Sequence, residues 1–372
     1  MVTLDTSRPT TSYRTDLITT LLGAWFTVGL FLDAWAHNNK PNLETFFTPW
    51  HAVFYSGFAA TAAWIAWTCR GAVRSGRLDV GEIPRGYRLA ALAVVGFALA
   101  GGGDLVWHTV FGIEQNINIL FSPTHLVLGT TMLIIVTTPL RAAWADRSLP
   151  AAPGLAPLLP ALLSLALGTT LVLLFLQYGN ALVRAGSGVV LGLSGVLEDT
   201  TSRLVVQVAV TNLILVVPLL TVARRWVPPF GAATILYAAI GGLSGAITGF
   251  RNSQMIVALL VAGIAVDVLA WWLRPTPARL GRYRAFGALA PLLTWTIYLV
   301  AAYATAPPLS TPPELGGGHP EGVVELYTGL PVVQAVLGLL VAVLLVPGRA
   351  ELAGAPTNEP PGNAPESVSL PG

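Results

Sequence analysis

Residues 155–177 read LAPLLPALLSLALGTTLVLLFLQ, with no charged side chain among them. A helix rising 1.5 Å per residue carries such a run across the roughly 30 Å hydrocarbon core of a bilayer. Only a helix satisfies every backbone N–H and C=O within one segment, so an apolar run of this length in lipid is helical. Working outward, nine more stretches have the same character: 15–36, 49–69, 87–108, 121–140, 203–223, 229–249, 253–273, 284–304 and 330–347. The expected fold is an all-α integral membrane protein of about ten transmembrane helices, the first four forming a tandem of two-helix hairpins.

Composition agrees. Of 372 residues, 54% are hydrophobic and 10% charged, against about 25% charged in soluble domains. Mean hydropathy is +0.68. There are too few charges to cover a water-facing surface. The net charge of +2, without an isolated basic cluster, speaks against a nucleic-acid partner. The lipid bilayer is the expected surrounding. The single cysteine, Cys69, excludes an intramolecular disulfide and a thiolate metal cluster. With only Met1, Met132 and Met255 as methionines, a soft sulfur ladder for Cu(I) is absent.

The basic residues divide by side. Segments between spans, taken alternately, hold 16 of the 20 Lys and Arg in one set. Lys40, Arg184, Arg203 and Arg251 make up the other. The positive-inside rule then places both termini in the cytoplasm and segments 37–50, 109–124, 178–202 and 305–329 outside, in a multi-pass protein of the cell (plasma) membrane. Ala34-Trp35-Ala36 has the pattern of a signal-peptidase site, but the apolar run before it is long for a leader. Three regions follow: 1–148 with four spans, 149–350 with six, and a Pro/Gly/Asn/Ser-rich tail, 351–372, expected to be disordered and cytoplasmic. Segment 178–202, with Gly188, Gly192 and Gly195 among Val and Leu, reads as a re-entrant or interfacial helix. Gly241, Gly245 and Gly249 recur every fourth residue and predict close helix packing.

Four of the five histidines fall in two outward hairpins. The first reads Asp33-Ala34-Trp35-Ala36-His37, then Glu44, then Phe47-Thr48-Pro49-Trp50-His51. The second reads Asp104-Leu105-Val106-Trp107-His108, then Glu114, then Phe121-Ser122-Pro123-Thr124-His125. The order of residue types is the same, at an offset of 71 residues from Asp33 to Asp104, which marks an internal repeat. Asp and His at i and i+4 share one helix face. Pro favours the first helical position, which puts the next His in the first turn of the following helix. An antiparallel hairpin therefore gathers Asp33, His37 and His51 in one place, and Asp104, His108 and His125 in another. One carboxylate with two imidazoles is a common set of ligands for zinc, copper or non-haem iron. A lone His at a membrane interface is an amphipathic headgroup-level residue, but a duplicated trio with an ionisable group inside a span is a functional signature. Glu44 and Glu114 are candidates for partners of the ligands, for extra ligands, or for solvated loop acids.

This pattern resembles the C subunit of the copper membrane monooxygenases, the particulate methane and ammonia monooxygenases, over about residues 15–140. That subunit carries Asp-x3-His followed by a Thr-Pro-Ser-His-like element, then a downstream Asn-x3-His…His group. Asp33, His37 and His51 are similar to its Asp/His/His copper site. Asp104, His108 and His125 match the later group, except that Asp104 stands where the family has Asn and the step from His108 to His125 is longer. Spans five to ten have no counterpart in it. The resemblance implies copper at the outer face, oxidative chemistry and work within a multisubunit membrane complex; it does not imply the substrate.

Other residues carry weaker signals. His319, within Glu314-Leu315-Gly316-Gly317-Gly318-His319-Pro320-Glu321, is a loop His on the outward side. Glu198, Asp199, Arg203 and Arg251 are expected to pair structurally. Asp267, inside a span, is expected to cap a helix or pair with an Arg such as Arg274, with a proton relay as the alternative. Trp35, Trp50, Trp107, Trp271 and Trp272 suit interfacial belts. Trp35 and Trp107 also stand close to wall a metal pocket. Nucleotide-binding loops, a His-Glu-x-x-His motif and desaturase histidine boxes are all missing. The expected function is that of a polytopic metalloprotein with outer-face copper sites, acting as a monooxygenase-like oxidoreductase on a small apolar substrate. The alternatives are copper or zinc binding for sensing, storage or transport, a haem protein using His37, His51, His108 and His125, and a structural subunit of a membrane complex. Iron remains open as the metal, and the catalytic residues are unknown.

Overall fold

The structure is a computed structural model that describes residues 9–40, 48–73, 79–112, 116–306 and 322–348. Glu44, Glu114, His319 and the tail 351–372 lie outside the described residues. Among the described residues there is no strand. The helices run α1 (Tyr13–Asn39), α2 (Pro49–Thr68), α3 (Arg88–Phe111), α4 (Pro123–Val136), α5 (Thr138–Ala145) and α6 (Leu155–Phe175). They continue with α7 (Gly186–Leu193), α8 (Glu198–Arg225), α9 (Ala232–Ile247), α10 (Ser253–Leu273), α11 (Leu280–Thr305) and α12 (Val324–Leu345).

Each of the ten predicted stretches falls on helix. By length and composition, seven helices can cross a membrane, or eight if α4 and α5 form one broken span. The two remaining stretches explain the difference from ten. α9 has 16 residues, and the 20 residues of α2 include Pro49, three Trp, His51 and Tyr55, which dilute its apolar character. The outward faces are greasy: Leu99 is 73% and Leu344 80% exposed. Faces of this kind suit lipid as solvent.

The break between α4 and α5 has a definite cause. Pro139 lacks an N–H and its ring clashes with the preceding turn, and the two helices meet at 41°. Arg141 repairs the end of α4. Its guanidinium donates to Ile134 O at 2.7 Å, Thr137 Oγ1 at 2.7 Å and Thr138 Oγ1 at 2.9 Å.

α1 packs on α2, and α3 on α4, as antiparallel hairpins. In the first hairpin the backbones touch. A Cβ on Gly29 would lie 2.7 Å from Phe54 Cα, and one on Gly57 would lie 2.7 Å from Phe26 Cα. The hairpins share a core of Phe26, Phe54, Phe97 and Met132, closed by Leu171 and Leu174 of α6. α8 to α12 build a second core around Tyr237, Tyr283, Trp295 and Tyr298, to which α6 adds Ala166 and Leu173. α6, which carries no charged side chain, thus contributes to both cores.

Segment 178–202 contains the eight-residue helix α7, whose Val189, Val190 and Leu193 are buried. Gly241 and Gly245 pack closely as predicted: a Cβ on Gly241 would lie 2.9 Å from Leu259 Cδ2, and one on Gly245 2.2 Å from Ile256 Cδ1, whereas Gly249 lies past the end of α9 and a Cβ there would be 3.9 Å from Trp35 Nε1. Asp267 acts as a cap, which is one of its expected roles. Its carboxylate accepts from Ala233 N at 2.9 Å, Thr234 N at 3.0 Å and Thr234 Oγ1 at 2.6 Å, at the start of α9. The expected pairing of Glu198, Asp199, Arg203 and Arg251 does not form among the described residues. Glu198 and Asp199 occupy the first turn of α8, where acidic groups suit the helix dipole, and Arg251 Nε donates to Thr248 O at 2.9 Å.

Candidate metal centre

The Thr/Ser-Pro-x-His element is a helix start. Thr48 and Ser122 are the N-caps of α2 and α4, with Pro49 and Pro123 at the first helical positions. Their hydroxyls accept from His51 N at 3.1 Å and from His125 N at 3.4 Å. The capping hydroxyl satisfies one of the orphan N–H groups of the first turn. The same geometry fixes where each His leaves the backbone, facing the last turn of the preceding helix.

Both trios then close. His37 Nε2 lies 3.7 Å from Asp33 Oδ2, and His51 Nδ1 3.5 Å from Asp33 Oδ1. His108 Nε2 lies 3.4 Å from Asp104 Oδ2, and His125 Nε2 3.4 Å from Asp104 Oδ1. Within each trio, one ligand atom per residue falls within 4.8 Å of the other two. Metal–ligand bonds of about 2.0–2.2 Å hold neighbouring ligand atoms roughly 3–4 Å apart, which is the range these pairs show. Asp104 is 2% and Asp33 8% exposed, burial that a carboxylate tolerates only with compensation.

Lone pairs point the same way. His125 Nδ1 lies 2.8 Å from Ile119 O, and His108 Nδ1 3.3 Å from Gly112 O. A carbonyl can only accept, so in the tautomer that uses these two carbonyls Nδ1 carries the proton and donates. In the neutral ring Nε2 is then an acceptor, aimed at a carboxylate that is also an acceptor. In that tautomer two imidazole lone pairs and the Asp104 carboxylate converge, and a cation between them removes the repulsion. In the first trio Asp33 Oδ1 is buried with no hydrogen-bond partner. A stranded buried carboxylate oxygen costs about 1–3 kcal/mol or more, and a metal bond would satisfy it. The residues of both trios therefore fit a metal ion.

Asp104 has one further support, since Thr124 Oγ1 donates to its Oδ1 at 2.8 Å. His51 Nδ1 also contacts Thr48 Oγ1 at 3.0 Å. The duplicated sequence therefore yields two related but non-identical sites, presenting Nδ1 of His51 in one and Nε2 of His125 in the other.

All six residues line one cavity of about 480 Å³. Sequence reasoning places two trios on one face but does not bring them into a single chamber. The apolar wall includes Phe54, Phe97, Leu128, Met132, Leu174 and Phe175. Trp35 and Trp107 are absent from that wall. Trp35 meets Trp50 edge to face at 5.7 Å, and Trp107 packs on Phe111 at 4.6 Å. Trp271 and Trp272 are 69% and 68% exposed, as interfacial residues would be.

Three contributors were not singled out in the sequence: Thr124, Tyr55 and Phe175. Thr124 carries a signal within the motif, as the variable residue between Pro and His. Tyr55 stands at i+4 from His51, so helical spacing could have found it. Phe175 comes from α6, and nothing local announces it. Comparison of the chain with family models, with curated proteins and with solved structures returns no match.

Proposed function

We propose that the protein is a membrane metalloprotein whose Asp33/His37/His51 and Asp104/His108/His125 sites hold copper and face one chamber for a small apolar substrate. The observation that carries this reading is the convergence of two carboxylate–imidazole trios, each with ligand-like spacing, on a single cavity with an apolar wall. Copper, when bound, supplies one-electron redox chemistry, with electrons from a donor outside the chain. The chain's own part is to hold the metal on two imidazoles and a buried carboxylate and to leave room beside it. Apolar side chains exclude water and accept a substrate without hydrogen-bonding groups. The resemblance to the monooxygenase C subunit supports copper and oxidation over zinc or iron, and supports further membrane subunits as partners. Haem fits less well, because in each trio the carboxylate lies between the imidazoles that a macrocycle would need to separate.

Metal analysis of protein purified in detergent tests the reading. Two copper ions per chain are expected for the wild type, one for Asp33→Ala, one for Asp104→Ala and none for the double variant. Wild-type protein without bound metal, matched by His37→Ala, would overturn it. Zinc at the same stoichiometry with no turnover moves the reading to metal binding without oxidation.

A further inference from the structure

One turn after His51, on the same face of α2, stands Tyr55. The two rings are stacked, with centroids 6.1 Å apart and planes 18° from parallel, within the range of favourable offset stacks. His51 is therefore held by Thr48 at its ring nitrogen and by Tyr55 at its face. The far side of the Tyr55 ring reaches the other hairpin. A Cβ placed on Gly101 of α3 would lie 3.3 Å from Tyr55 Cε1 and 3.5 Å from its hydroxyl oxygen. Gly101 is three residues before Asp104 on the same helix. The Tyr55 ring also packs on Phe97 at 6.3 Å and lines the cavity shared by the trios.

The repeat is broken at this point. The position equivalent to Tyr55, one turn after His125, is Gly129. There a Cβ would lie 2.3 Å from Phe175 Cζ, so the space belongs to a ring from α6. Only the first trio has an aromatic side chain of its own helix bracing its second histidine and touching the opposite hairpin.

We propose that Tyr55 is a positioning residue that couples the two metal sites: its ring sets the orientation of His51 and rests on α3 at Gly101, so the geometry of the Asp33 site depends on the hairpin that carries Asp104. The inference rests on the metal reading above. Partners that orient a ligating imidazole typically contribute 10–100-fold in metal affinity.

The test uses full-length protein in detergent, Cu(II) as the probe, and paramagnetic resonance of the Asp33 site in an Asp104→Ala background. Tyr55→Phe keeps the ring and should retain the affinity that Tyr55→Ala loses. Tyr55→Ala should weaken this site about tenfold and alter its spectrum. Gly101→Ala is the decisive variant, because it favours helix and leaves Tyr55 in place. It presses on the ring from the opposite hairpin and should shift the Asp33-site spectrum. In a Tyr55→Ala background it should have no further effect, since the coupling runs through the ring. An unchanged spectrum in Gly101→Ala, or an equal Gly101→Ala shift with and without Tyr55, overturns the coupling while leaving the metal sites standing. Absence of Cu(II) binding in the parent protein overturns the metal reading itself.

Discussion

At the scale of single residues, Asp33 and Asp104 organise the site, and each is buried beside two imidazoles. The Asp, the i+4 His and the Pro-x-His are all legible in the sequence, because helix periodicity and the proline rule place them without tertiary information. The capping hydroxyls are legible in hindsight: Ser or Thr directly before a helical Pro is an N-cap pattern. Ser122→Ala should cost about 1 kcal/mol through the lost cap, and it removes a contact of 2.7 Å to His125 Nδ1. Weaker Cu(II) binding at the Asp104 site, read in an Asp33→Ala background, checks it. Thr124→Val should act on the same site by stripping Asp104 of its hydroxyl donor. An unchanged affinity in both variants would show that the first-turn hydroxyls do not tune the ligands.

At the scale of elements, close approach and capping decide what the helices can do. α1 and α2 touch through Gly29 and Gly57. Gly57→Val would drive its side chain into the backbone at Phe26, and overpacking of this kind costs roughly 1–3 kcal/mol or more. The expected result is a lower melting temperature in detergent and loss of metal from the Asp33 site, with the Asp104 site less affected. Asp267 caps α9 from within α10. Asp267→Ala leaves two N–H groups without acceptors, at a cost of about 1–3 kcal/mol each where buried. Lower thermal stability with copper stoichiometry unchanged is expected, since Asp267 is not among the cavity-lining residues. The sequence offers Asp267 as a cap, an ion pair or a proton relay. Its actual partners are two main-chain N–H groups 33 and 34 residues away and the Thr234 hydroxyl, and backbone donors leave no trace in residue type.

At the scale of the whole molecule, the membrane class follows from composition and from apolar runs such as 155–177, because transfer free energy depends on side chains summed over a segment. The arginine partition predicts sidedness, with Lys40 outside and Arg147 inside. Cys69 is 8% exposed, so its labelling background is slow. Lys40→Cys should react with an impermeant maleimide applied to intact cells, whereas Arg147→Cys should react only after lysis. The reverse pattern would invert the topology and put the trios on the cytoplasmic side. What the sequence determined by itself was local and periodic: helices, their starts, and the duplicated Asp/His/His sets, each a consequence of spacing along one or two adjacent elements. What only the tertiary structure decided was relational. It joined the two trios in one cavity, brought Phe175 of α6 over Gly129, and set Tyr55 between His51 and Gly101. Those contacts depend on how helices distant in the chain pack, and shape complementarity between faces is not a property of any one stretch of sequence.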